Sequence, residues 1–105
     1  MYQYAAELIR VVDGDTVVLD VDVGFNIKVL TKFRLANIDA PEIETAAGKL
    51  SRAWLMEAMK GKLRIDSLGL DKYGRWLAVV HCNGININEL MLNLGHATPY
   101  AGGKR

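Results

Sequence analysis

Branched and aromatic residues alternate with polar ones over much of the first forty positions, and this pattern is typical of β-strands. The dipeptide Asp13-Gly14 and a second glycine further along mark tight turns between the apolar runs. Strands joined by such short turns form an antiparallel meander. The predicted strands are residues 2–12, 16–23 and 27–38.

Beyond Pro41 the apolar residues recur at helical rather than strand spacing. Thr45 is a suitable N-cap for a helix that runs to about Lys60, and Gly61 suits the left-handed position after its end. The predicted apolar stripe of this helix is Leu50, Ala53, Trp54 and Ala58.

The remaining sequence predicts two strands and a short helix. We expect the two strands at residues 63–70 and 73–82. Asn83-Gly84, which follows the second of them, is a strong signal for a two-residue hairpin turn. Asn86 followed by Glu89 resembles a capping box at the start of the helix. Its apolar stripe is Ile87, Leu90, Met91 and Leu94, and it ends at Gly95.

The element order is three strands, a helix, two strands and a short helix. This β-rich α+β order fits a five-stranded Greek-key barrel of the OB type, with the first helix covering one end. A rolled α+β sheet of another topology is the alternative. We predict one domain over residues 1–98 and, because residues 99–105 lack periodicity, a flexible tail.

Composition narrows the class of protein. The 105 residues suffice for one domain, and with 50% apolar and 24% charged residues the chain is not intrinsically disordered. No apolar run approaches the ~20 residues that span a bilayer. The single cysteine, Cys82, excludes an internal disulfide and a multi-cysteine metal site. Without an export signal in the sequence as given, we expect a cytoplasmic protein, or a secreted one if this is a mature form.

The net charge of +1 conceals an uneven distribution. Residues 1–48 contain four basic and eight acidic groups, whereas residues 49–105 contain nine basic and four acidic groups. Such segregation suits a site where a cation meets a phosphate, and chance asymmetry is the alternative explanation.

Three clusters have side chains that can do chemistry. In the first, Asp13 and Asp15 flank a glycine at a tight turn and offer the oxygen ligands that Ca²⁺ prefers. Aspartate and glycine are also ordinary turn residues, and their spacing does not match an EF-hand loop.

In the second cluster, Arg34 lies in a largely apolar strand, and Asp39 and Glu42 follow at the strand's end. One carboxylate can bind a metal while the other activates water; a surface salt bridge beside an ordinary turn is the alternative. In the third, Lys72, Tyr73 and Arg75 can hold a phosphate, although a solvated charged hairpin turn has the same composition.

Together the clusters supply what phosphodiester hydrolysis needs: metal-binding acids, a base for water and fixed positive charge. Their sequences closely resemble the three signature segments of the staphylococcal nuclease (thermonuclease) family, in the same order and with similar spacing. The resemblance extends through a hairpin and helix at residues 84–95. The matching segments are Val12-Asp13-Gly14-Asp15-Thr16, Phe33-Arg34-Leu35 leading into Ile38-Asp39-Ala40-Pro41-Glu42, and Asp71-Lys72-Tyr73-Gly74-Arg75.

The resemblance implies an OB-fold endonuclease that needs Ca²⁺, cuts DNA and RNA, prefers single-stranded or frayed substrate and leaves 3′-phosphate ends. By position, Asp15 and Asp39 would bind calcium with the carbonyl of Ala40. Asp13 would lie near the ion and act through water. Since only two carboxylates bind directly, calcium affinity should be weak, at about 10⁻⁴–10⁻³ M.

The resemblance also implies roles for the remaining charged residues. Arg34 and Arg75 would grip the scissile phosphate, and Glu42 would activate or orient the attacking water. Lys72 and Tyr73 would hold a neighbouring phosphate. The expected partners are DNA and RNA, with no membrane, and the expected state is a monomer.

The sequence departs from the family pattern in two places. The stretch between Thr16 and Phe33 is longer than in the best-known member, so the hairpin there should extend further. The family usually continues through tyrosines and a third helix, which this short form lacks. Tyr100 is the only tyrosine after Gly95 and is therefore the candidate for contact with a base.

Two other classes of function remain open. A nuclease-like OB module can bind nucleic acid or a protein partner without catalysis, but the acids and arginines that such modules lose are all present here. A purely structural calcium-binding domain leaves both arginines unexplained. The remaining conspicuous residues are interpreted as structural: His81, Cys82, Trp54, Trp76 and His96. For Trp76 the alternative is stacking on a base, and for His96 the structural role is to cap carbonyls at a helix end.

Overall fold

The computed structural model describes residues 2–100, which form eight strands and two helices. In chain order they are β1 (Tyr2–Asp13), β2 (Thr16–Asp22), β3 (Lys28–Leu35), β4 (Ile38–Asp39), α1 (Ala46–Ala58), β5 (Leu63–Leu70), β6 (Trp76–Cys82), β7 (Ile85–Asn86), α2 (Ile87–Asn93) and β8 (Thr98–Pro99). Neither helix of this described range is long and apolar enough to cross a membrane.

Five strands close into a mixed barrel. The predicted meander is present, with β1 antiparallel to β2 and β2 antiparallel to β3. β5 pairs antiparallel with both β1 and β6. The barrel is closed by a short parallel pairing between Phe33–Leu35 of β3 and Trp76–Ala78 of β6. The predicted OB-like barrel with two helices is therefore confirmed, and the rolled-sheet alternative is excluded.

The buried face of helix α1 overlaps only partly with the predicted one. Its buried residues are Gly48, Ser51 and Leu55, whereas Leu50 and Ala53 of the predicted stripe are exposed. The two other predicted positions do pack against the core. The small side chains at the buried positions let the helix approach the barrel closely, and a search for large apolar residues overlooks such a face.

The third strand ends earlier than predicted. β3 stops at Leu35, and Asn37 adopts a left-handed conformation with φ of 67°, which turns the chain. The chain then continues as β4, which pairs with β8 rather than with the barrel. This break separates Arg34 from Asp39 and allows both to face one site.

The other element boundaries agree with the predictions at all but three places: the start of β6, the C-terminal end of α1 and the C-terminal end of the described chain. β6 begins at Trp76 because residues 71–75 form a turn. Gly61 has the expected positive φ of 114°, but the C-cap of α1 is Met59. Of the predicted tail, Pro99 belongs to β8 and the amide of Tyr100 donates to the carbonyl of Asn37. Residues 101–105 lie outside the described part of the chain.

The predicted hairpin and caps at the second helix are present. Asn83 and Gly84 both have positive φ, at 53° and 81°, as a type I′ turn requires. The side chain of Asn86 accepts a hydrogen bond from the amide of Glu89 at 3.0 Å, and Gly95 follows the helix with φ of 79°.

Candidate active site

The first cluster forms the turn between β1 and β2. Asp13 Oδ1 accepts a hydrogen bond from the amide of Asp15 at 3.1 Å, which fixes the turn. A Cβ atom on Gly14 would lie only 2.6 Å from Ala40 Cβ and 2.9 Å from Ser51 Cβ. Gly14 therefore does more than permit a turn, because its missing side chain lets the acidic turn pack against the second cluster and α1.

Arg34 joins the first and second clusters. Its side chain is only 7% exposed, and Nη2 lies 3.6 Å from Asp15 Oδ2 and 3.5 Å from Asp39 Oδ1. Nη1 donates to the carbonyl oxygens of Leu35 at 3.2 Å and Ile38 at 2.9 Å. These contacts hold the guanidinium in one orientation at the end of β3.

Asp15 is the carboxylate most affected by its surroundings. Burial raises the pKa of Asp15 to about 6, and the hydrogen bond and negative charge of Asp13 add to this rise. The amide of Ala40, which donates to Asp15 Oδ2 at 2.9 Å, and the charge of Arg34 act in the opposite direction. An ionised Asp15 is thus poorly compensated in the protein alone, which is the condition that a bound cation relieves.

Glu42 lies in the loop that leads into α1. Its backbone carbonyl accepts hydrogen bonds from the amide of Thr45 at 3.0 Å and from Thr45 Oγ1 at 2.7 Å. The same hydroxyl caps α1 by accepting from the amide of Gly48 at 2.9 Å. A Cβ atom on Gly48 would overlap the carbonyl oxygen of Glu42. Gly48 therefore sets the position of Glu42, a role that the sequence pattern did not reveal.

The third cluster is a turn organised by Asp71. Its carboxylate accepts hydrogen bonds from the amides of Tyr73 at 2.8 Å and Arg75 at 2.9 Å, and from Arg75 Nε at 2.7 Å. Desolvation opposes ionisation of Asp71, but the bonds from Arg75 and Tyr73 outweigh it and lower the pKa of its carboxyl. The Asp71 carboxylate, absent from our predicted site residues, is thus what holds Arg75.

Aromatic rings bracket the two arginines. The Arg34 guanidinium lies 4.5 Å from the ring centre of Tyr100, and that of Arg75 lies 5.1 Å from the ring centre of Tyr73. Arg75 also hydrogen-bonds to Tyr100, and Lys72 Nζ lies 5.4 Å from the Tyr73 ring. Tyr100 therefore bridges the two arginines.

One cleft of about 230 Å³ brings together most of the predicted site. The substrate-binding residues line an adjoining pocket of about 380 Å³, which Arg34 shares. The cleft is lined by Asp13, Asp15, Thr16, Arg34, Asp39, Ala40, Pro41, Glu42 and Arg75. The adjoining pocket is lined by Arg34, Asn37, Asp71, Lys72, Tyr73, Leu77 and Tyr100.

The donors in the cleft fit a hard cation. Within residues 2–100, no three Asp, Glu, His or Cys side chains are grouped closely enough to hold a metal by themselves. Asp15 and Asp39 nevertheless approach the same Arg34 nitrogen, and Ala40 lines the same cleft. Carboxylate and carbonyl oxygens suit Ca²⁺, which takes 6–8 oxygen ligands and can draw several from water and substrate.

The residues interpreted as structural lie in different environments. Cys82 is buried in the core as expected. His81 lies 3.1 Å from an oxygen of Asp66, and the ring of His96 stacks on Trp54 at 5.1 Å rather than capping carbonyls. Trp76 departs from the core interpretation, since 45% of its surface is exposed.

Comparison with known sequences agrees with this geometry. Residues 32–104 match the family described as staphylococcal nuclease homologue, which is most of the chain and includes the second and third clusters. The chain belongs to the staphylococcal nuclease family.

Several relatives have nuclease names. A probable staphylococcal-like nuclease from Oryza sativa subsp. japonica is 40% identical over 67 residues, 63% of this chain and 18% of the relative. An uncharacterized endonuclease from Escherichia coli is 33% identical over 95 residues, 89% of this chain and 59% of the relative. A micrococcal nuclease from Shigella flexneri is 33% identical over 107 residues, 92% of this chain and 59% of the relative. This staphylococcal nuclease homologue thus spans less than two thirds of the length of each of these relatives.

Proposed function

We propose that this protein is a calcium-dependent endonuclease that hydrolyses phosphodiester bonds of DNA and RNA. The observation that supports this most directly is the meeting of two arginines with the carboxylates of Asp15, Asp39 and Glu42 in one cleft. A binding module needs the positive charge but has no use for a carboxylate beside it.

The arginines bind and stabilise the scissile phosphate. Arg34 is buried and fixed by carbonyls and carboxylates, whereas the Arg75 side chain is 44% exposed and also lines the cleft. Both donate to phosphate oxygens, whose negative charge grows in the pentacovalent transition state. Donors that are fixed before the reaction need no reorganisation as that charge develops.

Glu42 is the candidate base. It is exposed at the rim of the cleft, so its carboxylate can take a proton from a water molecule there. The water oxygen bonds to phosphorus as the bond between phosphorus and the 5′ oxygen breaks, and the 5′ oxygen takes up a proton from solvent. The phosphate stays on the 3′ oxygen, which gives the proposed 3′-phosphate end, while Arg75 hydrogen-bonds to the departing oxygen.

Asp15, Asp39 and the Ala40 carbonyl would hold calcium, with Asp13 contributing through water. The bound ion would supply Lewis-acid polarisation of the phosphate and offset the repulsion between substrate and carboxylates. The raised pKa of Asp15, caused by burial and by Asp13, supports a cation-binding role.

The adjoining pocket would bind the nucleotide on one side of the scissile phosphate. Lys72 and Tyr73 would hold the next phosphate, and Tyr100 would contact the base. A base can reach this pocket only when it is unpaired, which supports a preference for single-stranded or frayed substrate. We further propose that the protein acts as a monomer.

The test compares Arg75→Ala with Arg64→Ala on a fluorescent single-stranded DNA and a matched RNA, with analysis of product ends. Arg64 is an exposed strand residue outside the cleft, so it is a matched control. Loss of one transition-state donor should lower kcat about 10²–10³-fold for Arg75→Ala and leave Arg64→Ala unchanged.

The competing function is a module that binds nucleic acid without cutting it. A folded wild-type protein that retards the oligonucleotide on a gel but never shortens it would support that function and contradict the proposal. Products with 5′-phosphate ends would overturn the proposed bond cleavage alone.

A further inference from the structure

A third depression, of about 640 Å³, adjoins the cleft, and neither Lys72 nor Tyr73 lines it. It lies beside residues 29–32 of β3, because β3 pairs with β6 only from Phe33 onwards. Its walls include Arg34 and Arg75, so it is continuous with the site that would hold the scissile phosphate. We call it the β3 groove.

The β3 groove and the pocket lined by Tyr73 and Tyr100 lie beside the same cleft and have only Arg34 as a common lining residue. Arg75 lines the groove and also hydrogen-bonds to Tyr100. A nucleic acid strand that crosses the two arginines has a nucleotide on each side of the held phosphate. The first pocket can take only one of them.

The side chains of the β3 groove suit an unpaired nucleotide. Trp76, 45% exposed, offers an aromatic surface, and Leu30 and Val29 are also exposed there. Lys32 adds a positive charge to those of the arginines, whereas Asp13 is the one acidic residue in the lining. This balance favours a polyanion over a second copy of a nearly neutral chain.

We propose that the β3 groove binds the nucleotide attached to the scissile phosphate on the side opposite Tyr100, with Trp76 stacking on its base and Lys32 contacting the following phosphate. This subsite rests on the proposed nuclease function. Stacking on an aromatic ring tolerates any base, so the subsite contributes affinity rather than sequence preference.

The first test is kinetic. Trp76→Ala should raise KM for short single-stranded DNA about tenfold, within the range for one stacked base, and change kcat less than about twofold. Trp76→Phe should restore most of the loss because it keeps a ring. Phe25→Ala is the matched control, since Phe25 is 95% exposed at the β2–β3 turn and does not line the groove.

The second test locates the subsite. In an end-labelled oligonucleotide with one abasic residue, wild type should cut the linkages on both sides of that residue slowly. Trp76→Ala should lose this discrimination at one of these linkages and Tyr100→Ala at the other, while Phe25→Ala should resemble wild type.

The outcomes separate the two proposals. If wild type does not cut DNA or RNA, the proposed nuclease function fails. If it cuts but Trp76→Ala keeps wild-type KM and the wild-type abasic pattern, the subsite is wrong. A wild-type dimer that Trp76→Ala converts to monomer in sedimentation would also overturn it, because the groove would then join two chains.

Discussion

At the residue scale, Arg34 contacts groups from three segments that meet in the cleft. A guanidinium can meet two backbone carbonyls and two carboxylates at once because its donors spread in a plane, and an ammonium cannot. Arg34→Lys should therefore lower kcat about 10²–10³-fold although the charge is kept. Steady-state kinetics beside Arg64→Lys checks this, and a kcat within tenfold of wild type would contradict the role of Arg34.

Asp15 should limit stability in the absence of calcium. Its pKa is raised in the folded protein by burial and by Asp13, so between its unfolded value and about 6 the folded state binds more protons. Ionised Asp15 therefore costs stability at pH 7. Asp15→Asn should raise the free energy of unfolding in EGTA by on the order of 1–2 kcal/mol and abolish most of the stabilisation by added calcium.

Urea denaturation of both proteins, with EGTA and with millimolar calcium, measures these two effects. Asp20→Asn, on the neighbouring strand and outside the cleft, is the control. Lower stability of Asp15→Asn in EGTA would show that its pairing with Arg34 outweighs the cost of burial.

For Gly48→Ala, helix propensity and the folded structure predict changes in stability of opposite sign. Helix propensity alone makes Gly→Ala inside a helix stabilising by about 1 kcal/mol. In the folded protein the new Cβ would overlap the carbonyl of Glu42, so we expect Gly48→Ala to lose stability and to lower kcat at least tenfold. Ala47→Ser, at the exposed neighbouring position, is the control, and a more stable, fully active Gly48→Ala would contradict the role.

At the element scale, Asn88 ties α2 to the barrel. Its Nδ2 donates to the carbonyls of Ala36 at 3.1 Å and Ala78 at 3.0 Å, and its Oδ1 accepts from the amide of Val80 at 3.0 Å. All these groups are buried, so Asn88→Ala removes three buried hydrogen bonds, although the Ala78 carbonyl keeps the bond from the amide of Ala36. We expect a loss of about 2–4 kcal/mol in urea denaturation, against less than about 0.5 kcal/mol for the exposed Asn93→Ala. Equal effects of the two substitutions would contradict this.

The sequence predicted the number and order of the main elements because their apolar periodicity and caps are local signals. It failed where a tertiary contact decides the outcome. The buried face of α1 consists of Gly48 and Ser51 as much as of Leu55, and small residues give no apolar signal. The break after β3 depends on Asn37 in a left-handed conformation. Asparagine occurs both at strand ends and in loops, so its presence alone does not show where β3 ends.

The charged residues of the candidate site could be named from the sequence, but the residues that hold them in place could not. Each charged residue of the three clusters could be named from its type and from the family resemblance. Asp71, Gly48 and Ser51 act through contacts of the folded chain that no residue pattern reveals. Ser51, for example, donates to the carbonyl of His96, 45 positions away, and so joins α1 to the segment before Tyr100.

At the scale of the whole molecule, barrel closure is what assembles the cleft. The parallel pairing of Phe33–Leu35 with β6 carries the turn at residues 71–75 to the side of Arg34. The acids come from the first half of the chain and Arg75 from the second, so the segregated charges of the sequence meet at this point. The net charge stays near zero because the two sets offset each other.

Such a molecule should bind single strands with a modest dependence on salt. Arg34, Arg75, Lys72 and Lys32 would make about three or four phosphate contacts, which predicts a slope of roughly −2 to −3 for log K against log salt. Binding by the Glu42→Gln variant, followed by fluorescence anisotropy, measures the slope without cleavage. Lys72→Ala should reduce its magnitude by about 0.7 and Lys60→Ala should not, and a slope near zero would contradict phosphate-directed binding.

The most direct test of the proposed function is the rate at which purified wild-type protein cuts a fluorescent single-stranded DNA in millimolar calcium, after excess EGTA, and after calcium is restored. We predict rapid cleavage that EGTA stops and calcium recovers, with a half-maximal rate at about 10⁻⁴–10⁻³ M calcium. Cleavage that continues unchanged in EGTA, or a folded protein that leaves the DNA intact in calcium, would contradict a calcium-dependent nuclease.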